Sequence, residues 1–599
     1  MKLNYFYWVA SLALFMAGCT TNEEGEDNGP QGSKKEAYTS VTIKLPALNG
    51  TKAAPSYNNG KKEEYKVNDL TLLFFRTANG EDASRVNEDD FVLSEAVSTI
   101  PSLNTAGGSL SVTLPINADA NSVESITQAF RTGPISISEN SVRVLALLNM
   151  TETLDVAKML IKVGSPFKVI NSALSLPQAG VKALVGKNAD AFLMTSAPIY
   201  NNNNMQTLSV CVPKQSKDDA ISNPVNINVE RVVAKVQLAA NTTNYTADGE
   251  NGDGKKYFTI GEGSNHAGDK ITILGWALGN TNTVAYPSRK VDSNWPSGLS
   301  TLWGSAMESN GRIHWALDPN YNQSTWEIGT FATPDNIKDK SDWEQSVEYC
   351  LENTCDYNYM FKPQVTRLIV KAKYIPNLKN QAGGNNTKDE DDTWWSFTTV
   401  AAHYSAENMY IELIKSVKSL LPDDVTDVPD DPTDVSSINL GNDKLSATVT
   451  SGGWEVALAT DNNTPLHYKL SSVKYTPKNG SGKITVSADI ISSFNSGKGL
   501  IQKYDKGVCY YDIFIRHFTN AEGGYGDDWQ NESGYTSAQL GRYGVVRNNW
   551  YTVTVNSISN PGEPNIPIEP ELPVDTQTAY IDCSIAISAW AKRDHDIDL

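Results

Sequence analysis

The sequence predicts an all-β protein of two domains with few short helices. Three observations carry this. The 599-residue chain is too long for a single hydrophobic core. Its 26 Tyr, 13 Trp, 42 Gly and 27 Pro suit short strands parted by turns. Alternation of apolar and polar residues, the period of a half-buried strand, recurs near both ends and in the middle. The formal net charge of -19 repels nucleic acid and sets aside every nucleic-acid function.

Residues 1–18 read as an export signal. Lys2 supplies the positive start, and Tyr5 to Phe15 is apolar but too short to span a bilayer. Met16-Ala17-Gly18-Cys19 looks like a lipobox, with Met where Leu is usual, and predicts lipidation at Cys19. The plainer reading is a secretory signal with an incidental Cys. Residues 19–52 follow as an acidic tether and a first strand. In that strand Val41, Ile43, Leu45 and Ala47 share one face, opposite Thr42 and Lys44. Asn49 to Ser56 is then a loop of small and polar residues, the kind of segment that proteases reach.

Residues 53–225 are expected to form an N-terminal domain of strands and 226–559 a C-terminal one. Pro224 marks a loop at the boundary. Just beyond it, Ile227 and Val229 hold one parity and Val232, Ala234, Val236 and Leu238 the other. The phase flips near Glu230-Arg231, which predicts a bulge or a strand crossing. The clearest helix starts at a Ser405 cap and carries Met409, Leu413, Ile414, Val417, Leu420 and Leu421.

Residues 560–599 form a spacer and a final strand. Pro561, Pro564, Pro567, Pro570 and Pro573 recur at every third residue, the repeat of polyproline II. Such a rod of about thirteen residues reaches roughly 40 Å, about the width of a domain. The strand behind it places Ala579, Ile581, Cys583, Ile585 and Ile587 on one face. A semi-rigid spacer ahead of an apolar strand suits delivery to a neighbour, because packing at home needs only a short turn. Cutting behind the first strand opens a groove that a strand from another subunit can fill. The plainer reading leaves each strand in the sheet of its own domain.

No chemistry emerges from motif spacing. None of the six His has HExxH spacing or lies four residues from another. Asn479 to Ile484 resembles a phosphate loop but lacks its first Gly and its Ser/Thr, and reads as a hairpin turn. Asp248 to Gly254 and Asp423 to Asp434 read as solvated loops, and no GxSxG occurs. The expectation is therefore no catalytic residue, no metal and no cofactor. Cys350 and Cys355 are near enough in sequence for a candidate disulfide; the other reading is two buried thiols. Trp394-Trp395 is either an exposed platform for a glycan or host protein, or one core Trp beside an edge-covering one.

Taken in order, several segments resemble the fimbrillins of the Bacteroidales, most closely the shaft subunit of minor fimbriae of the Mfa type. The resemblance rests on Tyr65 to Leu73, Val229 to Val236, Tyr349 to Cys355, Val365 to Tyr374, Val546 to Tyr551, and the ending Trp590 to Leu599. The acidic residues behind Cys19 also resemble a surface-export signal of Bacteroidetes lipoproteins. The resemblance implies transthyretin-like sandwiches and a lipidated precursor on the outer membrane. It implies cleavage at Lys52–Ala53, where the family pattern has Arg, and polymerisation by donor-strand exchange into a fimbria. The implied partners are other copies of the chain and accessory fimbrial subunits, with adhesion to a host protein or glycan. An anchor or tip-type adhesin that does not itself polymerise is the alternative.

Overall fold

The computed structural model describes residues 36–44 and most of 64–589. Outside it lie 1–35, 45–63, 100–128, 151–160, 293–314, 323–330, 378–390, 433–444, 518–534, 590–599 and shorter loop stretches. Cys19, Leu45, Ala47, Lys52, Ala53 and Ala579 therefore fall outside the described residues.

The chain is all-β with few short helices. The main strands of the first domain come early in the chain. They are β1 (Glu36–Thr39), β2 (Val41–Lys44), β3 (Leu70–Arg76), β4 (Val92–Thr99), β5 (Ala129–Arg131), β6 (Ile135–Ser138), β7 (Arg143–Leu148), β8 (Met194–Ser196) and β9 (Val225–Arg231). The main sheet is eight-stranded and runs β4-β3-β7-β8-β9-β2-β5, with Ser209–Val210 paired beside β7. β1 pairs with β6 in a separate two-stranded sheet. Leu72, Phe74, Val144, Ala146, Ile227 and Val229 bury into one core, which is where period two sends an apolar face.

Val232 separates β9 from β10 (Val233–Ala240), and β10 belongs to another sheet. The chain thus changes sheets beside Glu230-Arg231, inside the span assigned above to the second domain. The second domain adds β11 (Lys256–Thr259), β12 (Lys270–Gly279), β13 (Val347–Leu351) and β14 (Arg367–Ile375).

A third core follows, one that composition and periodicity did not separate from the second. It is built from β15 (Trp394–Phe397), β16 (Val400–Tyr404), α1 (Ala406–Lys418), β17 (Trp454–Thr460), β18 (His467–Tyr475), α2 (Ala488–Lys498) and β19 (Ile501–Tyr504). α1 starts where its cap predicts, with Ser405 Oγ accepting from the Asn408 N–H. Met409, Leu413, Ile414 and Val417 face the core, whereas Leu420 lies past the helix end and is exposed.

The second domain then resumes with β20 (Val508–Phe514), β21 (Asn549–Ile558) and β22 (Ile581–Ala589). Its two sheets run Thr246–Ala247-β11-β12-β14-β20 and β13-β10-β21-β22. β14 and β20 are hydrogen-bonded neighbours, so the third unit is an insertion between adjacent strands. Its two ends pair with each other, Trp394 opposite Tyr504 and Phe397 opposite Ile501.

Candidate strand-exchange site

The first strand is an interior element of its domain. Ser40 breaks it into β1 and β2, and each half is bonded on more than one side. β1 runs antiparallel to β6, with Ala37 opposite Ile137. Tyr38 and Lys214 exchange both backbone N–H···O bonds at 2.8 Å. β2 runs parallel to the first half of β9 and antiparallel to β5. Thr132 fastens the break. Its N–H donates to Val41 O, its Oγ1 accepts from the Val41 N–H at 3.0 Å, and its carbonyl accepts from Ser40 Oγ at 2.8 Å. Ala37, Val41 and Ile43 are fully buried.

Withdrawal of β1–β2 would strip backbone partners from Val225 to Asn228, from β5 and β6, and from Lys214. It would also open the apolar bed formed by the first core. Unpaired strand edges beside an apolar trough are what an incoming strand recognises. Thr132, Lys214 and Val225 were not singled out from sequence, because nothing local marks a residue as the partner of a strand some 90 to 180 positions away.

The final strand lies at the opposite kind of position. β22 pairs antiparallel with β21, from Asn549 opposite Ala589 to Ile558 opposite Ile581, with a register shift between Val555 and Ser557. It is the edge strand of its sheet. Cys583 and Ile585 are half-buried against the second core. Burial of the Ile581 and Ile587 side chains lies outside the described residues.

The proline spacer differs from the free rod expected. It lies along its own domain. Tyr510 and Glu563 exchange backbone hydrogen bonds at 2.7 and 2.9 Å. Arg367 Nη2 donates to Pro567 O at 2.8 Å, and the Lys362 N–H donates to Leu572 O at 2.9 Å. Asp575 is then held by Arg542, Tyr535 and Tyr543. Proline removes a donor but keeps its carbonyl, and the residues between prolines keep both groups. A neighbouring strand and turn can therefore bind such a segment without disturbing its extended course.

Residues 502–596 match the family described as Major fimbrial subunit protein type IV, Fimbrillin, C-terminal. The match is confined to the C-terminal part of the chain, which is similar to that family. It spans β20, β21, the proline segment and β22. No curated protein sequence matches the chain. Among solved structures, a proposed cell adhesion protein from Parabacteroides distasonis is 12% identical. It has a TM-score of 0.36, over 93% of this chain and 99% of that one. A fimbrilin (FimA) from Porphyromonas gingivalis is 11% identical, with a TM-score of 0.34 over 93% and 99%. The tip fimbrial protein Mfa3 from Porphyromonas gingivalis is 10% identical, with a TM-score of 0.29 over 93% and 100%.

The remaining candidates of the fimbrillin reading fall as follows. Cys350 and Cys355 are free and buried, so the candidate bridge is not made. They occupy different apolar clusters: Cys350 lies within β13 in the second core, and Cys355 has already turned toward Met360, Phe514 and Tyr543. Burial pushes the Cys350 thiol up to about 12, which keeps it protonated and unreactive. Trp394 and Trp395 are both fully buried, which removes the exposed platform. Adjacent strand residues point to opposite faces, so Trp394 enters the second core and Trp395 the third. Asn479 to Gly482 lies in the turn between β18 and Ile484–Thr485, a hairpin as expected.

One cluster went unseen in the sequence. His266 and Asp269, in the turn before β12, meet His403 of β16 in a buried group. The search by spacing failed because the partners come from separate units of the fold.

Proposed function

We propose that the chain is a structural subunit of a cell-surface fimbria, exported as a lipoprotein through Cys19 and matured by cleavage at Lys52–Ala53. The observation that carries this reading is the pairing of two opposite strands. The first, β1–β2, is buried, with β2 in the interior of the main sheet, and sits ahead of a cleavable sequence. The second, β22, is an edge strand near the end of the segment similar to fimbrillin C-terminal regions. Removal of residues 1–52 vacates the groove of one subunit. The strand carrying Ala579, Ile581, Cys583, Ile585 and Ile587 leaves its home sheet and fills the groove of the next.

In this reading the mature subunit comprises the domains 53–225 and 226–559 and the arm 560–599. The partners are further copies, accessory fimbrial subunits and, before maturation, the outer membrane. Adhesion to a host protein or glycan would follow from display on the fimbria. The home pairing of β22 with β21 favours a second reading, an anchor or tip-type subunit that keeps its final strand.

The two readings separate on one gel. Purified precursor is treated with a Lys/Arg-specific protease, the new N-terminus is sequenced, and unboiled and boiled samples are compared. A shaft subunit starts at Ala53 and forms a heat-labile ladder that deletion of residues 578–599 abolishes. A chain cut at Lys52 that stays monomeric with and without its tail overturns the shaft reading.

A further inference from the structure

A buried cluster joins the inserted unit to the second domain. His266 Nδ1 lies 3.0 Å from His403 Nε2, and His403 Nε2 lies 3.0 Å from Asp269 Oδ2. The third side of the triangle, His266 Nδ1 to Asp269 Oδ2, is 3.5 Å. These residues are exposed by only 6%, 3% and 2%.

Protons alone serve this triangle poorly. Three lone-pair-bearing atoms converge, and His403 Nε2 has one site for two close neighbours. A proton placed toward Asp269 leaves the two imidazole nitrogens to share whatever His266 Nδ1 carries. A cation satisfies all three atoms together. Tetrahedral ligands at about 2.0–2.1 Å from a metal stand about 3.3 Å from one another, which is the size of this triangle.

The surroundings hold the carboxylate in position. Asp269 Oδ1 accepts from the Asn377 N–H and Oδ2 from the Tyr374 hydroxyl, each at 2.5 Å. Such outer contacts orient a ligand and fix its charge. Gly268 sits between the two turn ligands at a φ of +83°, and a Cβ there would lie 2.3 Å from Asn377 Nδ2, so the turn needs glycine. Tyr374 and Trp394 wall the His403 ring, with centroids at 5.3 and 4.5 Å. On the open side, a cavity of about 300 Å³ is lined by His266, His403, Gln502 and Glu563, among others. It offers an entry path and a solvent position.

We infer that His266, Asp269 and His403 form a binding site for one divalent ion of the zinc class, with water from the adjoining cavity as the fourth ligand. Two imidazoles and one carboxylate suit zinc, cobalt or nickel; calcium and magnesium prefer all-oxygen shells. His266 and Asp269 belong to the second domain and His403 to the insertion. The ion therefore clamps the insertion to its host domain across 134 and 137 positions of sequence. This site is separate from the strand-exchange groove, and its test does not depend on polymerisation.

The test uses the purified full-length chain, stripped with a chelator and titrated with zinc chloride by calorimetry. One equivalent is expected to bind, and the thermal unfolding midpoint should rise by several degrees and fall again with chelator. Cobalt chloride should give the intense visible absorption of a tetrahedral nitrogen and oxygen site. His266→Gln, in a turn and so tolerant of exchange, should abolish both signals while the far-ultraviolet β spectrum is kept. His403→Gln serves as a second variant. A flat zinc titration of the wild-type chain overturns the proposal, as does zinc binding that is unchanged in a folded His266→Gln protein.

Discussion

Charged side chains deep in this protein come in matched sets. Lys235 Nζ meets Glu64 Oε1 at 2.7 Å, with side-chain exposures of 0% and 1%. The Tyr349 hydroxyl donates to the same oxygen, and the lysine also sits 3.5 Å above the Trp550 ring. Glu64 lies shortly after the proposed maturation site, so this group ties the start of the mature chain to the domain junction. Loss of one partner leaves a buried charge without its counter-ion. Lys235→Met should cost about 3–5 kcal/mol in urea unfolding, and adding Glu64→Leu should return much of it. Asp318 behaves differently. Burial pushes its carboxyl up to about 7, helped by the charge of Glu352, against bonds from the Thr354 and Asn320 N–H groups and the Asn282 amide. The folded state thus favours the protonated form. That contribution is complete below the unfolded value near 3.8 and fades as pH rises through about 7. Wild-type stability should fall relative to Asp318→Asn between about pH 4 and 7 and level off above that, read as unfolding midpoints at each pH.

Two strands with the same period-two pattern end in opposite settings. β2 has hydrogen-bonded neighbours on both sides, whereas β22 has one among the described residues. An interior strand is held by ladder bonds on both sides, and an edge strand by those on one. Ile43→Ala should therefore weaken the precursor by about 2–5 kcal/mol. In the protease assay it should also speed release of the cut strand and bring the ladder forward. Ile585 is only half-buried against its home core. Ile585→Asp should leave a folded monomer with a small loss of stability, yet stop ladder formation, because an interior groove has no solvent for a carboxylate. A ladder of wild-type length from this variant would show that β22 is not the donated strand. The proline segment adds a constraint. Its bonds at Glu563, Pro567 and Leu572 hold it along its own domain as far as that point.

At the scale of the molecule, three apolar cores share walls. The first core includes Leu351 and Trp550, whose strands also send Cys350, Tyr551 and Val553 into the second, and β15 is buried on both faces between the second and third. Much of this was legible in the sequence. Periodicity placed both end strands, the sheet change beside Glu230-Arg231 and the helix at Ser405, because each depends on residues a few positions apart. The six His offered no local spacing, so the histidine cluster could not be found that way. The same limit hid the inserted unit, whose borders are ordinary strands paired across more than a hundred residues. Sequence alone determined the all-β class, the alternating faces and the absence of spaced catalytic motifs, since side-chain chemistry and a period of two are local properties. Tertiary structure alone decided that β2 is interior and β22 an edge, that the proline segment lies along its own domain, that Cys350 and Cys355 stay apart, and that His266, Asp269 and His403 meet. Each of these depends on which distant segments the packing of the cores brings together.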